Sequence, residues 1–124
     1  MQNIILNNGT QLNVKTVVAG EATIQNTIRK VLMFNFRKAD YTFDMLEGLF
    51  NVKTNTDKIK IYEGESMFLH EGYNIRASML LQPELISGGD ATTPPTYEDI
   101  IIITMAQESY LERQMRLLLE AQGV

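Results

Sequence analysis

The sequence predicts an α+β fold: a mainly antiparallel sheet or small barrel of six to eight strands, with one short internal helix and a C-terminal helix. Three observations predict it. Short apolar or alternating stretches punctuated by Gly-containing turns fill most of the chain. Ile100-Ile101-Ile102-Ile103 is apolar at every position and β-branched throughout, the pattern of a strand covered on both faces. After it the period changes, and Gln107 to Gln122 reads as a charged amphipathic helix.

Asn3 to Leu6 is apolar, and Gln11 to Val18 alternates after Asn7-Asn8-Gly9-Thr10. Asn-Gly predicts a hairpin with a type I′ turn, which needs positive φ at both central residues. Leu12 and Val14 share one face; Asn13, Lys15 and Val17 share the other. Gly20-Glu21 predicts a second break. Thr27 to Phe36 predicts a longer strand that crosses the core, with Leu32, Phe34 and Phe36 on one side and Val31 and Met33 on the other. The period changes over Asp40 to Phe50. There Phe43, Leu46 and Phe50 form an apolar helical face, and Asp40 or Thr42 is placed to cap it. Gly48 limits that helix to two or three turns.

Asn51 to Asp57 is a polar connector. A meander is expected next: Lys58 to Tyr62, a turn at Glu63-Gly64-Glu65, Ser66 to Leu69, a turn near Glu71-Gly72, then Tyr73 to Leu81. Pro83 to Glu98 is rich in Gly, Pro, Ser and Thr and reads as a flexible loop joining two strands of one sheet. In the terminal helix, Thr104-Met105-Ala106-Gln107 and Ser109-Tyr110-Leu111-Glu112 both fit a capping box, so its start lies between 105 and 110. Glu112–Arg116 and Arg116–Glu120 are opposite-charge pairs four apart.

At 124 residues and 44% apolar content, one domain spanning 1–124 is expected. A net charge of −4 argues against a nucleic-acid partner. The basic cluster Arg29-Lys30 with Arg37-Lys38 reads as strand-end solvation. The absence of cysteine excludes disulfides, thiolate metal sites and cysteine nucleophiles. The N-terminus has no basic region followed by a long apolar one, and no apolar run approaches the roughly 20 residues of a membrane helix. A soluble cytoplasmic product with no membrane partner is expected.

No residue set announces a reaction. His70, the single histidine, precedes Glu71 and Gly72 without a second histidine, and reads as a turn residue rather than a metal ligand or general base. Asp40, Asp44 and Glu47 read as a solvated helix face. The methionines read as core filling. No catalytic residue, cofactor or metal site is assigned. The terminal helix carries the one interaction signal. Leu111, Met115 and Leu118 are assigned to the domain's own core, where Leu118→Ala costs about 2–5 kcal/mol. Leu117-Leu118-Leu119 is apolar on more than one side, which a helix packed on one sheet does not need. Tyr110, Gln114, Leu117 and Leu119 are therefore the candidate partner or oligomer interface.

The order of elements adds a resemblance. The Asn8-Gly9 hairpin, His70-Glu71-Gly72-Tyr73-Asn74-Ile75-Arg76, the Pro/Thr/Gly loop, and Thr104-Met105-Ala106-Gln107 leading into Leu111-Glu112-Arg113-Gln114 come in sequence. Together they resemble small proteins of the tail and lysis region of bacteriophages and prophages of Gram-positive bacteria. The resemblance implies a virion tail or baseplate component, or an assembly factor for one. Such a protein is made in the host cytoplasm, stays in the virion tail if structural, and contacts itself or other tail proteins. No catalytic residues carry over. The first function class is thus a structural tail or baseplate protein acting through protein–protein contacts, as a homo-oligomer. The second is a small binding module or tail-fibre assembly chaperone that uses the 83–98 loop or the helix. An enzyme built around His70 ranks last.

Overall fold

The computed structural model describes residues 2–123. Among them, eight strands form two four-stranded antiparallel sheets, and the fold is α+β without a closed barrel. The first sheet has the order β2-β1-β5-β6, built from β1 (Gln2–Ile5), β2 (Gln11–Val14), β5 (Lys58–Glu63) and β6 (Ser66–Glu71). The second has the order β3-β4-β8-β7, built from β3 (Thr16–Ile24), β4 (Thr27–Arg37), β7 (Ile75–Ser87) and β8 (Thr96–Ala106). Three helices complete the chain: α1 (Phe43–Phe50), the single turn α2 (Lys53–Thr56) and α3 (Tyr110–Ala121).

One core cluster draws on both sheets and on α1. Ile4, Leu12, Val14, Ile59 and Ile61 come from the first sheet. Leu32, Phe34, Phe36, Ile101, Ile103 and Met105 come from the second, and Leu46 and Phe50 from α1. The Phe50 ring lies 5.5 Å from Phe34 and 5.8 Å from Phe36, so the short helix is held by aromatic burial rather than by its own propensity. Thr42 caps it by accepting from the Met45 N–H. The isoleucine run is central, as expected: β8 lies between β4 and β7, and Ile100 to Ile103 are all buried.

Several local expectations change. The first hairpin turns through Asn7-Asn8-Gly9 with only Gly9 at positive φ (89°), not through a type I′ pair. Gly9 N–H donates to Leu6 C=O, and Leu6 N–H to Thr10 C=O, which is a turn closed by a glycine bulge. The 11–18 stretch is two strands, not one. The chain crosses from the first sheet to the second at Lys15, so the alternation changes phase: Leu12 and Val14 are buried, and Val17 packs against the same core. Gly20 does not break the chain; it pairs with Val31 inside β3. The reversal comes at Gln25-Asn26, both at positive φ (55° and 61°), a two-residue turn made without glycine.

The expected meander is interrupted too. β5 and β6 pair in the first sheet, but Gly72-Tyr73-Asn74 carries the chain across to the second sheet before β7. Finally, half of the 83–98 segment is paired. Pro83 faces Asp99, Glu84 faces Glu98, Leu85 faces Tyr97 and Ser87 faces Thr96, so β7 and β8 form a hairpin that extends past the end of β4. Only residues 88–95 lie outside strands. There Asp90 Oδ1 accepts from the Thr92 and Thr93 N–H groups at 2.8 and 2.7 Å. Those two backbone donors hold its carboxyl below the usual carboxylate range. The turn chemistry was legible as Gly/Pro/Thr content; the pairing was hidden because Gln82, Glu84 and Glu98 interrupt the apolar pattern.

Candidate functional site

The polar residues that fold to the interior converge under α3. Thr56, Asp57, Asn74 and Glu108 are buried, although they come from a connector, a crossover and the segment before a helix. Their burial is matched by hydrogen bonds, as a low-dielectric site requires. Thr56 Oγ1 donates to Asn74 Oδ1 (2.8 Å). Asn74 Nδ2 donates to Glu108 Oε1 (2.6 Å) and Asp57 Oδ1 (3.3 Å). From α3, Arg113 forks onto both Asp57 oxygens through Nε and Nη2 at 2.9 Å each. Arg116 Nη2 donates to Asp57 Oδ1 (2.6 Å), its Nε to Glu108 Oε1 (3.1 Å), and its Nη1 to Glu120 (2.9 Å).

A second clamp holds the start of the helix. Arg29, 6% exposed, donates to Glu112 at 2.5 and 3.0 Å and to the Gln107 carbonyl at 3.1 Å. Ser109 and Glu112 form the capping box, so of the two candidate starts the helix uses the second. Residues 104–106 belong to β8 instead.

The electrostatics follow from these contacts. The Arg29 guanidinium, with the Ser109 N–H, brings the Glu112 carboxyl down to about 2. Burial pushes the Asp57 carboxyl up, but bonds from Arg113, Asn74 and Arg116 outweigh it, and it lies below the usual carboxylate range. Burial alone holds the His70 imidazole below its usual value. His70 is a half-buried residue of β6 rather than a turn residue, with its ring edge-to-face on Tyr73 at 5.8 Å. Among the described residues no three His, Asp or Glu side chains gather as a metal-holding group. No helix there is long and apolar enough to cross a membrane.

The clamps fix which way α3 faces, and this reverses the sequence expectation. Glu112, Arg113, Arg116 and Glu120 point to the body and are all paired. Leu111, Met115 and Leu118, assigned from sequence to the core, are 71%, 51% and 53% exposed. Among the described residues of α3 none is buried. The physical reason is that the space beneath the helix is already occupied by Asp57, Asn74 and Glu108, and the two carboxylates among them are satisfied by guanidinium groups and not by leucines. Of the interface candidates, Tyr110 (82% exposed) and Gln114 stand on the outward face beside Leu111 and Leu118. Leu117 is half-buried at its margin. Leu119 lies on the other margin, where with Met115, Arg116, Asn74 and Phe50 it lines a groove of about 730 Å³. Of the basic cluster, Lys30 and Lys38 are exposed as expected, but Arg29 is buried on a partner, Glu112, that lies 83 residues away in the chain.

No protein-family model matches the chain, and no curated protein matches it.

Proposed function

We propose that this chain is a structural subunit that works through protein–protein contacts, with the outward face of α3 as its principal contact surface and a second copy as the partner. The observation that carries this reading is the inverted amphipathicity of α3: charges inward and paired, leucines outward. The stripe is also self-complementary. About Gln114, Tyr110 mirrors Leu118 and Leu111 mirrors Leu117, the spacing that lets two antiparallel copies place the same residues against each other across a two-fold axis. Because every charge on the helix is used within the chain, no like charges meet in such a pair.

The resemblance to small tail-region proteins of bacteriophages supports a setting for this subunit: a virion tail or baseplate, assembled in the host cytoplasm, with other tail proteins as further neighbours and no catalytic role. The β7–β8 arm favours a second reading, a tail-fibre assembly chaperone or binding module. Its Leu85, Ile86 and Tyr97 are 52%, 59% and 61% exposed and project beyond β4, placed to hold another protein.

Light scattering on wild type and on Leu111→Glu/Leu118→Glu tests the first reading. Wild type is expected to exceed the mass of one chain at micromolar concentration. The variant is expected to fall to one step smaller and to stay folded, since both leucines are exposed within the chain, losing only the stability that association adds. A wild type of single-chain mass throughout refutes it.

A further inference from the structure

The four edge strands of the two sheets are not equally guarded. β2 is four residues long, and the Tyr41 hydroxyl accepts from the Asn13 N–H at 2.8 Å. β7 carries Pro83, which has no N–H, and its pairing shifts register between Arg76 and Ser78 and between Leu85 and Ser87. Such devices stop further strands from adding. β3 shares only the side-chain cap, Gln2 on the Val17 N–H (2.9 Å), and has no proline and no register shift, which leaves the groups from Ala19 to Thr23 unguarded. It is nine residues long without proline, with a single charge, Glu21, and every residue is exposed or half-buried. Beside it lies β6, the edge of the other sheet. Between them a slot of about 130 Å³ opens onto the core, lined by Val17, Ala19, Leu32, Ile61, Phe68 and His70. Phe68 is 50% exposed there.

We infer that β3 is a second interface, independent of α3, at which it pairs antiparallel with β3 of another copy about a two-fold axis at Gly20. The backbone sets the parity. Val17 N–H donates to the Gln2 side chain rather than to β4 (2.9 Å). Successive residues of a strand direct their N–H and C=O groups to alternate sides, so Ala19, Glu21 and Thr23 also present theirs outward. An axis at Gly20, the midpoint of Thr16–Ile24, overlaps all nine residues. It places Ala19 opposite Glu21 of the second copy, outward group against outward group. It keeps the two Glu21 carboxylates apart, whereas an axis at residue 21 would set them face to face. Ala19, Gly20 and Ala22 keep the centre small. The pair joins two four-stranded sheets into one of eight strands and covers the slot at Phe68.

Gly20→Cys tests this directly, because the chain has no cysteine. The position has no positive φ, and a Cβ there meets nothing closer than Val31 Cγ2 at 3.8 Å, so the variant fits the fold. In the proposed register the two Gly20 Cα atoms form a non-hydrogen-bonded pair about 4.5 Å apart, within disulfide range. Under mild oxidation Gly20→Cys is expected to crosslink to a dimer. Val18→Cys, opposite Ala22 rather than itself, is expected to remain single. Failure of Gly20→Cys to crosslink, or equal crosslinking of both variants, overturns the proposal. Amide exchange on wild type gives a readout without mutation: slow exchange at Ala19, Glu21 and Thr23 that quickens on dilution supports the pair, and exchange in seconds at every concentration overturns it. Repeating the crosslink in Leu111→Glu/Leu118→Glu separates the two surfaces. Persistence there is expected, and loss there overturns β3 as an interface of its own.

Discussion

Replacing Asp57 by alanine removes the anchor through which α3 is held. The carboxylate is 10% exposed and accepts three charge-assisted bonds from α3, two from Arg113 and one from Arg116. Removing one partner from a buried ion pair costs about 3–5 kcal/mol, because the remaining charge stays desolvated. Arg113 retains Glu71 at 3.4 Å, and Arg116 retains Glu108 and Glu120, so the lower end, about 3 kcal/mol, is expected. For a chain of this length that lowers the melting temperature by about 10 °C. Urea denaturation followed by circular dichroism measures the loss, and amide exchange locates it: α3 amides should lose protection before those of β4 and β8. The cycle of Asp57→Ala with Arg113→Ala should show coupling of about 1 kcal/mol or more. A loss under about 1 kcal/mol with α3 still protected would refute the view that charge, not leucine packing, docks this helix.

Leu118→Ala, in contrast, should change stability by no more than about 0.5 kcal/mol in the unassociated chain, since that side chain is half exposed; a loss above about 2 kcal/mol would return it to the core. Gly72 holds φ +80°, with Arg113 Cδ 3.3 Å from where a Cβ would stand, so Gly72→Ala should cost about 1–2 kcal/mol or more by denaturation. Acid should weaken the α3 clamps. Glu112 and Asp57 both titrate below their ordinary values in the fold, so their contribution is complete above the ordinary carboxylate range; that of Glu112 disappears as pH falls from about 4.5 towards 2, and that of Asp57 as pH falls below its ordinary range. A denaturation series across that range should show the decline, smaller in Glu112→Gln. Limited proteolysis should cut within 88–95, the unpaired tip, and leave the flanking 83–87 and 96–98 intact while the hairpin holds.

The sequence by itself determined the elements whose signal is local. Four consecutive isoleucines specify a doubly covered strand wherever they fall. Leu32, Phe34 and Phe36 specify a strand face by their spacing, and the capping residues narrow the helix starts to Asp40 or Thr42 and to 105–110, between which the structure chooses Thr42 and Ser109. Leucines outside a single stripe on the last helix were enough to predict that not all of them are buried there. What the sequence left open depended on residues far apart in the chain. Lys15 looks like one more position in an alternating strand until the two sheets exist to be crossed between. Gln25-Asn26 carries no glycine, so the turn follows from the pairing of β3 with β4 rather than from its own chemistry. The orientation of α3 was decided by tertiary structure alone. Amphipathicity says that a helix has two faces, and ordinary experience turns the leucines inward. Here Asp57, Asn74 and Glu108, from three separated segments, fill the floor beneath it, and Arg113 and Arg116 supply the positive charge that the two buried carboxylates need. The desolvation of a carboxylate 56 residues away thus decided which side of the helix meets the solvent.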